Sequence, residues 1–147
     1  MYKHILIPSD GSELAEKAVQ AGIEFASLMR ARVTAFTAVP EYQVPSHGEI
    51  VSRTAISMQE HERRSKENAD AVLRRIVERA RATGLECDAD FAQNDHPYEA
   101  IIEAARRHGC DLIFIASHGR RGLSALMHGS ETQGVLTHSD IPTLVYR

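Results

Sequence analysis

A glycine-containing segment, residues 116–132, has the composition of an anion-binding loop. Its glycines, at 119, 122 and 129, permit unusual backbone geometry and let the main chain approach a ligand closely. Gly129-Ser130 opens a predicted helix, whose first amides lack intrahelical partners and carry a partial positive charge. A phosphate there would be held by those amides and by a hydroxyl, that of Ser130 or Thr132, with Arg120 or Arg121 as a possible further partner. The same glycines also suit a strand end and a helix cap that bind nothing.

A second loop, Pro8-Ser9-Asp10-Gly11, follows the first predicted strand. In open parallel sheets, ligands bind beyond the carboxyl ends of the strands, where the strand order reverses. If the first strand is central and the fourth lies beside it, this loop faces the glycine segment. Asp10 would then accept hydrogen bonds from ribose hydroxyls.

Apolar strands alternate with amphipathic helices along the chain. Residues 40–57 have no clean period and are predicted to form a long loop. Alternation of this kind predicts an α/β fold with a parallel sheet and helices on both faces. The predicted strands are 3–8, 32–39, 86–93, 111–116 and 142–146, and the predicted helices begin after Ser12 and span 60–82, 97–108 and 130–138.

Composition limits the function classes. The chain has 147 residues, 43% of them hydrophobic, and a net charge of −3, which fits one globular domain over 1–147. The longest apolar run, Leu112–Ala116, is far shorter than the roughly 20 residues of a membrane span, and the N-terminus has no signal-peptide pattern. A pI near 6.2 argues against nucleic acid as the main partner. We therefore expect a cytoplasmic protein with no membrane or nucleic-acid partner.

Several well-known chemistries lack their sequence signatures. The two cysteines, Cys87 and Cys110, have no CxxC spacing, so we expect buried reduced thiols, with a redox pair as the alternative. The eight histidines lack helical ligand spacing, so no metal site is predicted. There is no GxxxxGK[ST], GxGxxG or GxSxG motif, and we assign no catalytic residue.

Taken together, these residues resemble the universal stress protein family. The resemblance covers essentially the whole chain and rests on segments 5–12 and 141–145 and on the motif G-x2-G-x9-G-S/T. The family implies a Rossmann-like sheet of the adenine nucleotide alpha hydrolase type with strand order 3-2-1-4-5. It also implies a homodimer through the C-terminal strand, and ATP as ligand, with or without Mg²⁺. The motif aligns with Ala116, Gly119, Gly129 and Ser130.

The resemblance also implies a set of nucleotide-binding residues. Counterparts of Pro8, Asp10 and Val39 line the adenine and ribose end in ATP-binding members. Counterparts of Gly119, Gly129, Ser130 and Thr132 hold the phosphates. The full expected set is Pro8, Ser9, Asp10, Val39, Ala116, Ser117, His118, Gly119, Gly129, Ser130, Glu131 and Thr132.

Three residues depart from what this reading expects. Ala116 replaces the first glycine of the motif and adds a methyl group where the ribose approaches, which a negative φ accommodates. Glu131 places a carboxylate at a helix start, where it would compete with phosphate for the same amides. Gly134 inside the last helix costs about 1 kcal/mol relative to alanine, and close packing is one explanation.

The sequence leaves three functions open. The first is a stress protein that binds ATP or another adenine nucleotide. The second, motivated by Ala116 and Glu131, is a nucleotide-free dimeric interaction protein of the same family. The third is a weak ATP-hydrolysing or nucleotide-transferring enzyme in which His118 or Asp10 assists a water or a metal.

Overall fold

The computed structural model describes residues 1–42, 57–118 and 129–147. Within these ranges, five strands alternate with four helices, and the predicted elements are all present with ends shifted by a residue or two. The strands are β1 (His4–Pro8), β2 (Arg32–Val39), β3 (Cys87–Gln93), β4 (Leu112–Ala116) and β5 (Thr143–Tyr146). The helices are α1 (Glu13–Met29), α2 (Met58–Ala82), α3 (Pro97–Arg107) and α4 (Ser130–His138).

All strand pairings in the sheet are parallel, and the strand order is β3-β2-β1-β4-β5. The predicted fold class and strand order are therefore confirmed. β1 is central, with Ile5 paired to Val33 of β2 on one side and to Leu112 of β4 on the other. The strand order reverses between β1 and β4, so the segments that follow these two strands leave the sheet side by side.

Both faces of the sheet are covered by helices. Alternate residues of β1 point to opposite faces: Ile5 and Ile7 pack in the core beneath α1 and α2, and Leu6 packs in the core beneath α3 and α4. β4 is a continuous apolar run and β1 is apolar from Ile5 to Pro8, as expected for strands that are buried on both faces. None of the helices in the described ranges is long and apolar enough to cross a membrane.

The two cysteines lie on opposite faces of the sheet. Cys87 belongs to the α1/α2 core and Cys110 to the α3/α4 core, and both are free and buried. The redox-pair alternative is therefore wrong, because the sheet separates the two sulfur atoms.

The helix starts differ in how they are capped. Ser12 accepts a hydrogen bond from the Ala15 amide at the start of α1, and Ser57 does the same for the Glu60 amide of α2. The residues before α3 and α4, His96 and Gly129, make no side-chain cap. The first backbone amides of α3 and α4 therefore need acceptors other than a capping side chain.

Candidate functional site

The loop after β1 is a compact turn held by its own side chains. The Ser9 amide donates to the Phe36 carbonyl of β2 at 2.9 Å, which continues the sheet past Pro8. The Ser9 hydroxyl accepts from the Gly11 amide, and Asp10 Oδ1 accepts from the Ser12 amide at 2.9 Å. Pro8 and Ser9 are buried and Asp10 is half-buried, so the Asp10 carboxylate lies at the carboxyl edge of the sheet.

The start of α4 is anchored to the end of β4 by two hydrogen bonds. The Gly129 amide donates to the Ser117 carbonyl at 2.8 Å. The Thr132 hydroxyl donates to the Ala116 carbonyl, also at 2.8 Å, and Thr132 is only 2% exposed. The hydroxyl proton of Thr132 is thus used inside the fold, whereas Ser130 is exposed. These contacts place Ala116, Ser117, Gly129, Ser130 and Thr132 together.

Position 129 favours glycine because there is little room for a side chain, and not because of its backbone conformation. Its φ is −56°, which any residue can adopt. A Cβ atom built on it would lie 3.1 Å from the Cα atom of His118 and 3.3 Å from its Cβ atom. A side chain here would crowd the backbone that leaves β4, so close approach is the role the structure supports for this glycine.

The first turn of α4 presents amides to the carboxyl edge of the sheet. The helical hydrogen bonds of α4 begin with the Gln133 amide, which donates to the Gly129 carbonyl. The amides of Ser130, Glu131 and Thr132 precede it, so they have no acceptor within their own helical turn. Together with the partial positive charge of the helix start, such amides suit an anion.

Glu131 is bonded to a different helix from its own. Its Oε2 atom accepts from the Tyr98 amide in the first turn of α3 at 2.8 Å, and so replaces the side-chain cap that His96 lacks. Its Oε1 atom lies 3.4 Å from the Ser130 hydroxyl oxygen. The expected competition for the amides of α4 is therefore replaced by a bond to an amide of α3. The pKa of Tyr98 is raised, chiefly because its hydroxyl donates to Glu99, with a smaller contribution from the charge of Glu131.

Three further predicted residues lie at the ends of β2 and β4 or just beyond them. Ala116 does not have a positive φ, and its methyl group is buried in the α1/α2 core. Val39 ends β2, is 8% exposed, and its carbonyl accepts from the Asn94 amide. His118 Nδ1 lies 3.2 Å from the Ser117 hydroxyl oxygen.

Some of the predicted residues lie outside the ranges that the structure describes. They are Gly119, Arg120, Arg121 and residues 43–56 of the loop predicted over 40–57. Within residues 1–42, 57–118 and 129–147, no group of three His, Cys, Asp or Glu side chains is placed to hold a metal ion.

Comparison with known proteins gives a family for the whole chain. The model of the universal stress protein family matches residues 1–147. A universal stress protein of Thermus aquaticus is 31% identical over 151 residues, with both chains fully covered. Universal stress protein MJ0577 of Methanocaldococcus jannaschii is 28% identical over 156 residues, which cover 100% of this chain and 96% of the relative.

Solved structures agree with that result. The MJ0577 structure superposes with a TM-score of 0.81 over 99% of this chain and 95% of its own. More distant members, at 14–21% identity, show the same fold and were determined with cAMP, with dAMP (from Archaeoglobus fulgidus) and with AMP (from Arabidopsis thaliana), at TM-scores of 0.71, 0.68 and 0.64. With the sheet order, the anchored α4 start and the match over residues 1–147, the chain belongs to the universal stress protein family.

Proposed function

We propose that this protein binds adenine nucleotides, ATP included, at the carboxyl edge of the sheet between the loop after β1 and the start of α4. The observation that carries the proposal is the anchoring of α4: Gly129 and Thr132 are bonded to the end of β4, and the first-turn amides of α4 precede its hydrogen-bonded turn. A fixed helix start holds its donors in place before the anion arrives.

The other predicted residues are assigned to the nucleoside. Asp10 lies just beyond the end of the central strand, and its carboxylate is an acceptor for the hydrogen bonds that ribose hydroxyls donate. Val39 and Pro8 supply apolar surface for the base. The three family members that hold cAMP, dAMP and AMP support an adenine nucleotide as the class of ligand, since an adenine nucleoside and a phosphate are common to all three ligands.

Calorimetric titration with ATP, ADP and AMP tests the proposal directly. Each titration is run with and without Mg²⁺, because the phosphates themselves supply the oxygen ligands that this ion prefers. We expect saturable heat with at least one of the nucleotides. Absence of heat at millimolar nucleotide would overturn the proposal and favour the nucleotide-free interaction protein. Mass spectrometry of gently purified protein provides a second test, because co-purified nucleotide excludes that alternative.

We also propose that two copies pair through β5. Among the residues that the structure describes, this strand is at the edge of the sheet and pairs with β4 on one side only, so its outer row of backbone groups is available to another strand. Its four residues are only half-buried. Light scattering is expected to give twice the 16.3 kDa mass of the chain; the mass of a single chain at all concentrations would contradict it.

The cytoplasm is the compartment we assign to the protein. The two cysteines are buried and unpaired, as is usual where thiols stay reduced.

A further inference from the structure

The carboxylate of Glu131 is fixed between the starts of two helices. It belongs to the first turn of α4, and its Oε2 atom accepts from the Tyr98 amide of α3 at 2.8 Å. If the Glu131 side chain moved away, the Tyr98 amide would lose its acceptor, because His96 makes no side-chain cap on α3. Tyr98 is itself held in place, because its ring packs directly against Gly134 of α4. The negative charge therefore cannot leave the start of α4 at low cost.

The Glu131 carboxylate lies beside the Ser130 hydroxyl, which would bind a phosphate. Glu131 Oε1 is 3.4 Å from the hydroxyl oxygen of Ser130, which is exposed at the first position of α4. A phosphate bonded to Ser130 would thus lie within several ångströms of a carboxylate, a distance at which like charges repel appreciably near a protein surface. The repulsion grows with the number of negative charges on the ligand.

We propose that Glu131 is a specificity-determining residue that makes the site discriminate between adenine nucleotides by charge, in favour of the monophosphate over the triphosphate. The inference rests on the proposed nucleotide binding and goes beyond it, since it ranks the ligands. AMP carries fewer phosphate charges than ATP, so the fixed carboxylate weakens its binding less. The α4 amides attract both ligands, and Glu131 sets the difference between them.

Glu131→Gln separates the charge from the cap. The glutamine carbonyl oxygen still accepts from the Tyr98 amide, so the link between α3 and α4 is retained while the negative charge is lost. We expect the ratio of the ATP Kd to the AMP Kd to fall roughly tenfold in this variant, chiefly through tighter ATP binding. Glu131→Met, which removes both the charge and the cap, should lower the ratio in the same direction.

Glu99→Gln is the matched control. Glu99 is an exposed carboxylate in the first turn of α3 that accepts from the Tyr98 hydroxyl, a bond that the glutamine carbonyl oxygen also accepts. Its replacement therefore changes the net charge equally and leaves the bond between Glu131 and the Tyr98 amide in place. The ratio should stay at the wild-type value in this variant. An unchanged ratio in both Glu131 variants, or an equal fall in Glu99→Gln, would overturn the inference while nucleotide binding stands. If neither AMP nor ATP binds the wild-type protein, the proposed function fails, and this inference fails with it.

Discussion

Gly134 of α4 lies directly against the ring of Tyr98 in α3. A Cβ atom built on Gly134 would be 2.4 Å from Cγ and 2.7 Å from Cδ1 of that ring. Both distances are shorter than the closest approach of two non-bonded carbon atoms. The ring also stacks on His138, with centroids 5.2 Å apart. The glycine therefore allows two helices to approach closely, and close packing is the explanation for a residue that weakens an isolated helix.

We expect Gly134→Ala to lower the free energy of unfolding by about 1–3 kcal/mol. Alanine is the better helix former by about 1 kcal/mol, but its methyl group must displace the Tyr98 ring, and overpacking costs more. Urea denaturation followed by circular dichroism measures the change.

The Tyr98→Ala background is the control for this substitution. Without the ring there is room for a methyl group, so Gly134→Ala should become stabilising by up to about 1 kcal/mol. A neutral or stabilising effect in the wild-type background would show that the two helices do not need this glycine.

Thr132→Val is expected to destabilise the protein by about 1–3 kcal/mol. Valine has a similar shape but cannot donate to the Ala116 carbonyl, which would be left unpaired in a buried position. Thr137→Val is the matched control, because the Thr137 hydroxyl also donates to a carbonyl, that of Gln133, but at an exposed position. Equal losses in thermal or urea unfolding of the two variants would contradict the anchoring role of Thr132.

Gly129→Asp should abolish nucleotide binding while the fold survives. Aspartate is a good helix N-cap, so α4 is expected to keep its start. Its Cβ atom would crowd His118, and its carboxylate would occupy the place of the phosphate. Gly129→Ser adds the same Cβ atom without the charge, and calorimetry on both variants separates the two effects. Wild-type affinity in Gly129→Asp would place the phosphate elsewhere.

His4 is expected to make stability depend on pH in the acidic range. The side chain is 6% exposed, and its Nε2 atom lies 2.8 Å from the Thr34 hydroxyl oxygen. Burial lowers the pKa of His4 below 6.5, and the positive charges of Arg32 and His108 lower it further, against a smaller opposing effect of Asp88 and Asp111.

The sign follows from proton linkage. Below pH 6.5 the unfolded chain binds a proton at His4 that the folded chain does not, so the contribution of this residue to stability falls as the pH drops from 6.5 toward the folded pKa. The slope is at most about 1.4 kcal/mol per pH unit. Urea unfolding of wild type and His4→Gln between neutral and mildly acidic pH measures it. Parallel pH profiles for the two proteins would contradict the role of His4.

Both cysteines should resist thiol reagents in the folded protein. Burial raises the pKa of Cys87 and of Cys110 to about 11, so little thiolate is present near neutral pH. We expect slow reaction with a chromogenic disulfide reagent in buffer and rapid reaction of both thiols in concentrated guanidinium. The single variants Cys87→Ser and Cys110→Ser assign each phase; rapid stoichiometric labelling of the native protein would show that one thiol is accessible.

Much of the architecture follows from local patterns. The continuous apolar run of β4 and the apolar stripe of α2 are patterns between residues close together in the chain. The alternation of such strands and helices predicts a parallel sheet. The place of Gly129 and Ser130 follows in the same way, because they immediately precede a helical pattern.

The partner of Glu131 was beyond sequence reasoning. Histidine is not among the residue types that favour a helix N-cap, so His96 before α3 is the one local signal that this helix start needs another partner. Nothing local identifies a carboxylate 33 residues away from Tyr98 as that partner.

Periodicity and spacing along the chain are enough to give the alternation of strands and helices, the family resemblance and the glycine positions. The roles of three residues of α4 emerge only in the folded protein: Thr132 bonds β4, Glu131 bonds α3, and Gly134 makes room for Tyr98. Each of these contacts joins residues far apart in the chain. Such contacts exist only once the sheet has set α3 and α4 side by side on one face, where packing selects one partner among many.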